Sequence, residues 1–198
     1  MLKILVFLGC LVPLGLLIYN GFQDNLGPDP TATVTHATGF ATLRLLILSL
    51  CITPFRRLSV RLAWLIRFRR MIGLFAFFYG CLHLFTYLWL FAHFDMQAIL
   101  DDIAKRRYVM AGFSAWVLLV PLALTSTQWS IRRLGGRRWQ VLHRLAYASA
   151  ILGVIHYWWI VKAGVRTPLT VTLVLTVVLA ARPLWSLAQA RRRIRIRI

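Results

Sequence analysis

The sequence predicts an all-α integral membrane protein, a bundle of six transmembrane helices that forms a single domain over residues 1–198. Three observations carry this. Of the 198 residues 60% are hydrophobic, with 12 Phe and 8 Trp, and the mean hydropathy is +0.71. A soluble globule of that composition would leave too much apolar surface in water. Apolar runs of about 20 residues, the length that crosses a bilayer, recur along the chain. The 24 Lys and Arg stand against 5 acidic residues, a formal net charge of +19, but they fall in short clusters between the apolar runs. That distribution sets membrane topology and does not track a nucleic-acid backbone, so membrane lipid is expected as a partner and nucleic acid is not.

The expected spans are about 2–20, 37–54, 71–91, 108–126, 141–161 and 168–187, followed by a basic tail over 188–198. Lys3 ahead of the first run resembles a signal peptide. However, no small-residue cleavage site comes after it, and "YNGFQDNLGPDP" is a polar Gly/Pro loop, so the run is read as a retained helix. Arginines crowd 55–70 (Arg56, Arg57, Arg61, Arg67, Arg69, Arg70), 127–140 (Arg132, Arg133, Arg137, Arg138) and the tail (Arg191, Arg192, Arg193, Arg195, Arg197). The alternate loops are poorer. The 21–36 loop has Asp24 and Asp29 and no Lys or Arg; 92–107 sets Lys105, Arg106 and Arg107 against Asp95, Asp101 and Asp102; 162–167 has only Lys162 and Arg166. Because Lys and Arg in short loops mark the cytoplasmic side, both termini are expected there.

Nothing in the sequence supplies a soluble redox domain. No GxGxxG follows a strand-like run, so no nicotinamide- or FAD-binding unit is expected and a partner must take or supply the soluble chemistry. Cys10, Cys51 and Cys81 lie inside apolar runs without CxxC or CxxCH, which points to packing and away from disulfides or covalent haem attachment.

The chemistry therefore rests on histidine. Ionisable residues within spans are costly and mark candidate sites, and three of the five histidines, His83, His143 and His156, fall inside spans. At about 1.5 Å per residue, His83 lies roughly 18 Å beyond Met71 and His156 roughly 22 Å beyond Val141. On helices running the same way they share a level in the outer half of the bilayer. Each has a glycine three residues earlier, Gly80 in "GCLH" and Gly153 in "GVIH", which opens a gap on the same helical face. Two imidazoles with clearance at one level suit bis-histidine haem b, whose potential the protein tunes by burial and second-shell bonding. The alternative is helix packing with hydrogen-bonded histidines.

His143 is about 20 Å below His156 and about 140° around the helix from it. Its counterpart 13 residues before His83 is Arg70, not histidine. It is either a ligand of a second haem or a polar group that contacts a quinone or flavin or snorkels to the interface. Arg44, a charge inside the second span, is a candidate counter-ion for a haem propionate. His36 and His93 read as solvated interfacial residues. Most of the aromatics on the third and fifth spans read as anchors and packing.

Several stretches resemble the MsrQ (formerly YedZ) family: "HATGFATLRLLILSLCITPFRRL" (36–58), "RRMIGLFAFFYGCLHLFTY" (69–87), "LALTSTQWSIRRLGGRRWQVLHRLAY" (122–147) and "IHYWWIVK" (155–162). The family comprises haem-binding membrane subunits of the bacterial periplasmic methionine sulfoxide reductase system and is related to the membrane part of ferric reductases and NADPH oxidases. The resemblance implies haem association at His83, His143 and His156, one haem b or two, and FMN, whose phosphate the arginines at 67–70 and 132–138 could hold. It further implies an electron-transfer subunit of the Gram-negative inner membrane, with no substrate-reducing centre of its own. Electrons would come from quinol or a cytosolic flavin reductase and pass to the periplasmic molybdopterin subunit MsrP. Arg70 departs from the wider superfamily's pattern of two histidines on each of two helices. The alternatives are a transmembrane ferric or cupric reductase and a haem-free transporter or scaffold.

Overall fold

A computed structural model describes residues 1–161 and 166–196, without the side chains of Arg182 and 186–196. Lys162 and Arg197, and the side chains of Arg191, Arg192, Arg193 and Arg195, thus lie outside the described residues.

Among the described residues every regular element is helical. Helix α1 spans Leu2–Phe22 and α2 Pro30–Leu58. The start of α2 is specified locally: the Asp29 carboxylate accepts from the Ala32 N–H, and Pro30 occupies the first turn, where its missing N–H costs nothing. A 3₁₀ segment, Val60–Leu65, leads into α3, Ile66–Thr86, which ends in a π-helical turn over Tyr87–Phe91. The short α4, Met96–Lys105, precedes α5, Arg107–Leu124. Two seven-residue helices come next, α6 (Gln128–Leu134) and α7 (Gly136–Leu142). They are separated by Gly135 at φ 75° and ψ 146°, a conformation open essentially to glycine alone. Helices α8, Leu145–Ile160, and α9, Arg166–Ile196, complete the chain.

Among the described residues five segments are long and apolar enough to cross a membrane: Leu2–Phe22, Pro30–Leu58, Val60–Phe91, Arg107–Leu124 and Arg166–Trp185. They coincide with five of the six expected spans. The remaining one, 141–161, is divided: 141–142 finish α7, a turn at His143 and Arg144 intervenes, and α8 is only 16 residues long, about 24 Å. Hydropathy alone runs past this break because Val141 and Leu142 are as apolar as the first residues of α8. The many large side chains left uncovered, such as Ile4, Leu5 and Leu16 on α1 and Leu173 and Val177 on α9, suit helices that bond their own backbones and face hydrocarbon.

Helix α2 is the centre of the bundle and packs against α3, α8 and α9. Its Leu43, Leu46, Ile47 and Leu50 meet Ala76 of α3, Leu119 and Leu122 of α5, Ala150 and Val154 of α8, and Leu175 and Val178 of α9. Polar ties fix neighbouring helices: Ser149 Oγ donates to the Ala115 carbonyl at 2.8 Å, and Trp158 Nε1 to Thr172 Oγ1 at 2.8 Å. Tyr79, 1% exposed, pins α1. Its hydroxyl donates to the Cys10 carbonyl at 2.8 Å and accepts from the Leu14 N–H at 3.1 Å. Those two groups are an i, i+4 pair beside Pro13, so a side chain from α3 is inserted into the α1 hydrogen-bond ladder.

Candidate haem site

Two helix pairs, α2 with α3 and α5 with α8, build a cavity of about 520 Å³, a size that holds cofactor-scale ligands. Its walls are mainly apolar and include Leu43, Leu46, Leu84, Phe113 and Trp116. His83 enters from α3 and His156 from α8. Their ring centroids are 6.0 Å apart and their planes 78° apart.

Each ring is oriented by a backbone carbonyl on the partner helix. His83 Nδ1–H donates to the Thr35 carbonyl at 3.0 Å, and His156 Nδ1–H to the Tyr108 carbonyl at 2.6 Å. A carbonyl only accepts, so the proton resides on Nδ1 and the lone pair on Nε2. This is the usual second-shell arrangement of a metal-bound imidazole, which fixes its tautomer and raises its basicity. A metal–nitrogen bond of about 2 Å on each side, plus two ring half-widths, comes to roughly 6 Å between centroids. The spacing, the tautomers and the apolar walls fit a metal held between the two rings.

Gly80 and Gly153 line the same cavity. A methyl carbon there would make ordinary contact, at 3.5 Å with Thr42 and Trp116 and at 3.4 Å with Leu43 respectively. The clearance they give is to neighbouring helices, and the imidazoles stand elsewhere. Arg44 is not brought to the cavity. It is exposed, with its guanidinium 5.3 Å from the Phe40 ring centroid. Its position around α2 turns it outward, although Leu43 and Leu46 beside it line the cavity. Arg106 does line the cavity; it bridges to Asp102 at 3.0 Å and donates to the Tyr108 hydroxyl at 3.3 Å. Asp102 in turn accepts from the Tyr87 hydroxyl at 2.9 Å. Sequence reading missed Arg106 because it stands in a loop with balancing charges. His36 is exposed as expected, yet it also lines the cavity. His93 is exposed in the connection after α3.

His143 does not join the pair. It occupies the turn between α7 and α8, its Nε2 is 3.0 Å from Thr125 Oγ1, and its face stacks on Trp139 with centroids 3.8 Å apart. Thr125 Oγ1 donates to the Pro121 carbonyl at 2.6 Å, so its lone pair accepts from His143 Nε2–H. Trp139 Nε1 donates to the Thr125 carbonyl at 2.8 Å. Among the described residues no cluster of three or more His, Cys, Asp or Glu is arranged to hold a metal ion.

Residues 38–154 match the family model described as the ferric reductase like transmembrane component, a stretch that holds His83 and His143 and stops just short of His156. Curated relatives carry the name protein-methionine-sulfoxide reductase heme-binding subunit MsrQ. The one from Herminiimonas arsenicoxydans is 48% identical over 189 residues, 94% of this chain and 86% of the relative. The one from Azospira oryzae is 48% identical over 182 residues, 91% of this chain and 78% of the relative. The one from Ralstonia nicotianae is 46% identical over 192 residues, 96% and 88% respectively. No solved structure matches the chain. With nearly half its residues shared across almost its full length, the chain belongs to the MsrQ family of ferric-reductase-like transmembrane proteins.

Proposed function

We propose that this chain is the haem-carrying membrane subunit of a methionine sulfoxide reductase system and conducts electrons across the bacterial inner membrane to a periplasmic molybdopterin subunit, MsrP. The observation that carries the reading is the His83–His156 pair, 6.0 Å between rings, with both Nδ1 atoms tied to carbonyls. Haem b bound there would supply a one-electron couple that no side chain offers. The protein's own part is to present two neutral imidazoles, hold their orientation, exclude water with apolar walls and offer Arg106 near the cavity as a cation.

The same reading puts both termini in the cytoplasm. All five carboxylate side chains, Asp24, Asp29, Asp95, Asp101 and Asp102, belong to the loops assigned to the periplasm, whereas the arginine clusters belong to the other side. His143 with Trp139 and Thr125 stands at the cytoplasmic end, where electrons enter from quinol or from a cytosolic flavin reductase. FMN, implied by the family, would find phosphate-binding cations in Arg67, Arg69 and Arg70 or in Arg132, Arg133, Arg137 and Arg138.

The test is a reduced-minus-oxidised visible spectrum of the purified chain, followed by reoxidation on adding the periplasmic subunit and oxidised methionine. The proposal expects b-type bands that bleach only when both are present. A chain without such bands would exclude the cytochrome reading. Bands that bleach equally with ferric citrate alone would favour a metal reductase.

A further inference from the structure

The two histidines are held by equivalent devices. Thr35 and His83 are 48 residues apart, and so are Tyr108 and His156. A glycine lies four residues after each carbonyl, Gly39 in "TGF" and Gly112 in "AGF", and another three residues before each histidine. Positions 35, 39, 80 and 83 thus recur 73 residues later as 108, 112, 153 and 156. All four glycines line the cavity, one from each of α2, α3, α5 and α8.

Gly39 and Gly112 have a physical reason to be glycine. A helical side chain leans toward the N-terminus and covers the turn before its own Cα. The side chain of residue i+4 therefore shields the outer lone pair of carbonyl i, which already accepts one bond within the helix. Without that side chain the carbonyl of Thr35 or Tyr108 is open to a second donor from the neighbouring helix. The clearances are tight. A methyl carbon on Gly39 would lie 3.0 Å from His83 Cε1 and 3.1 Å from Nδ1; on Gly112 it would lie 2.7 Å from both Cε1 and Nδ1 of His156.

We propose that Gly39 and Gly112 are the positioning residues of the haem site: each opens a helix carbonyl to Nδ1 of the opposing histidine and thereby sets that ring's orientation and basicity. This rests on the haem reading above. At Gly112 the contact is closer than real side chains tolerate, so the ring must move away from the Tyr108 carbonyl. At Gly39 a shift of a few tenths of an ångström suffices. Lengthening the Nδ1–H···O bond makes the imidazole a poorer donor. The oxidised state of the metal then loses more than the reduced state, and the midpoint potential rises.

The experiment compares haem-loaded full-length protein with Gly39→Ala, Gly112→Ala and, as control, Gly73→Ala, a glycine of α3 with nothing within 4 Å of its added carbon. Haem per chain, visible spectrum, midpoint potential and thermal unfolding are measured. Gly39→Ala is expected to keep its haem and fold with a raised potential. Gly112→Ala is expected to lose haem or shift further, and Gly73→Ala to match the unsubstituted protein. If Gly112→Ala fails to accumulate, Gly39→Ala decides alone, because a merely structural glycine would leave the potential of a folded, haem-loaded variant where it was. Both variants keeping the original potential and haem content overturn the positioning role and leave the haem reading intact, as does an equal shift in Gly73→Ala. Absence of b-type bands from the unsubstituted protein overturns both.

Discussion

Replacing His156 with alanine removes one of two imidazoles whose centroids stand 6.0 Å apart, and the structure offers no substitute. Among the described residues no group of three or more His, Cys, Asp or Glu is placed to hold a metal ion. His143 does not line the cavity, and His36, which does, is an exposed residue of α2 one position from the Thr35 carbonyl that holds His83. Loss of a second-shell hydrogen bond alone typically weakens metal binding by about 10–100-fold. Loss of the ligand must exceed the upper end of that range, an affinity cost of more than about 2.7 kcal/mol. The assay is haem titration of purified apoprotein followed at the Soret band, with His83→Ala alongside. Each single variant should bind more than about 100-fold more weakly, and the double variant little worse than either, because the two histidines would hold the group as a unit. Added imidazole should restore part of the binding to His156→Ala by occupying the space the ring leaves. An affinity within about tenfold of the original in either single variant, the low end of the second-shell range, would refute the pairing.

Four further outcomes are expected from the same geometry. The 78° between the ring planes predicts a strongly anisotropic low-spin ferric EPR signal; a rhombic signal of the kind given by parallel imidazoles would contradict it. His143→Ala should leave the haem spectrum unchanged and slow reduction from the cytoplasmic side, and loss of haem from that variant would instead make His143 a ligand. Tyr79→Phe strips the Cys10 carbonyl and the Leu14 N–H of a buried partner; it should cost about 1–3 kcal/mol, read as a lowered unfolding temperature in detergent, and an unchanged melt would show that α1 is held by packing alone. Reporter fusions should place both termini in the cytoplasm, with a periplasmic signal at either end refuting the charge-based topology.

Composition and run length were enough to give the class of protein and the level of its histidine pair. Run length fixes which segments can cross hydrocarbon, because bilayer thickness and helical rise are constants; five of the six spans expected from it are helices long and apolar enough to cross. The same constant rise put His83 and His156 at one level, and their rings meet. Azimuth and partnership come from helix packing. Arg44 stands between cavity-lining residues of α2 but on the wrong face, because its direction around α2 depends on where α3 and α8 pack. The oriented tautomers of His83 and His156 come from carbonyls 48 residues away, and backbone carbonyls leave no residue-type signal in a sequence. Only the glycine that uncovers each of them does, and its meaning emerged once the helices were seen side by side. The break at His143 was hidden for a related reason: an apolar run looks continuous whether one helix or two carry it, and a two-residue turn stacked on Trp139 is chosen by packing.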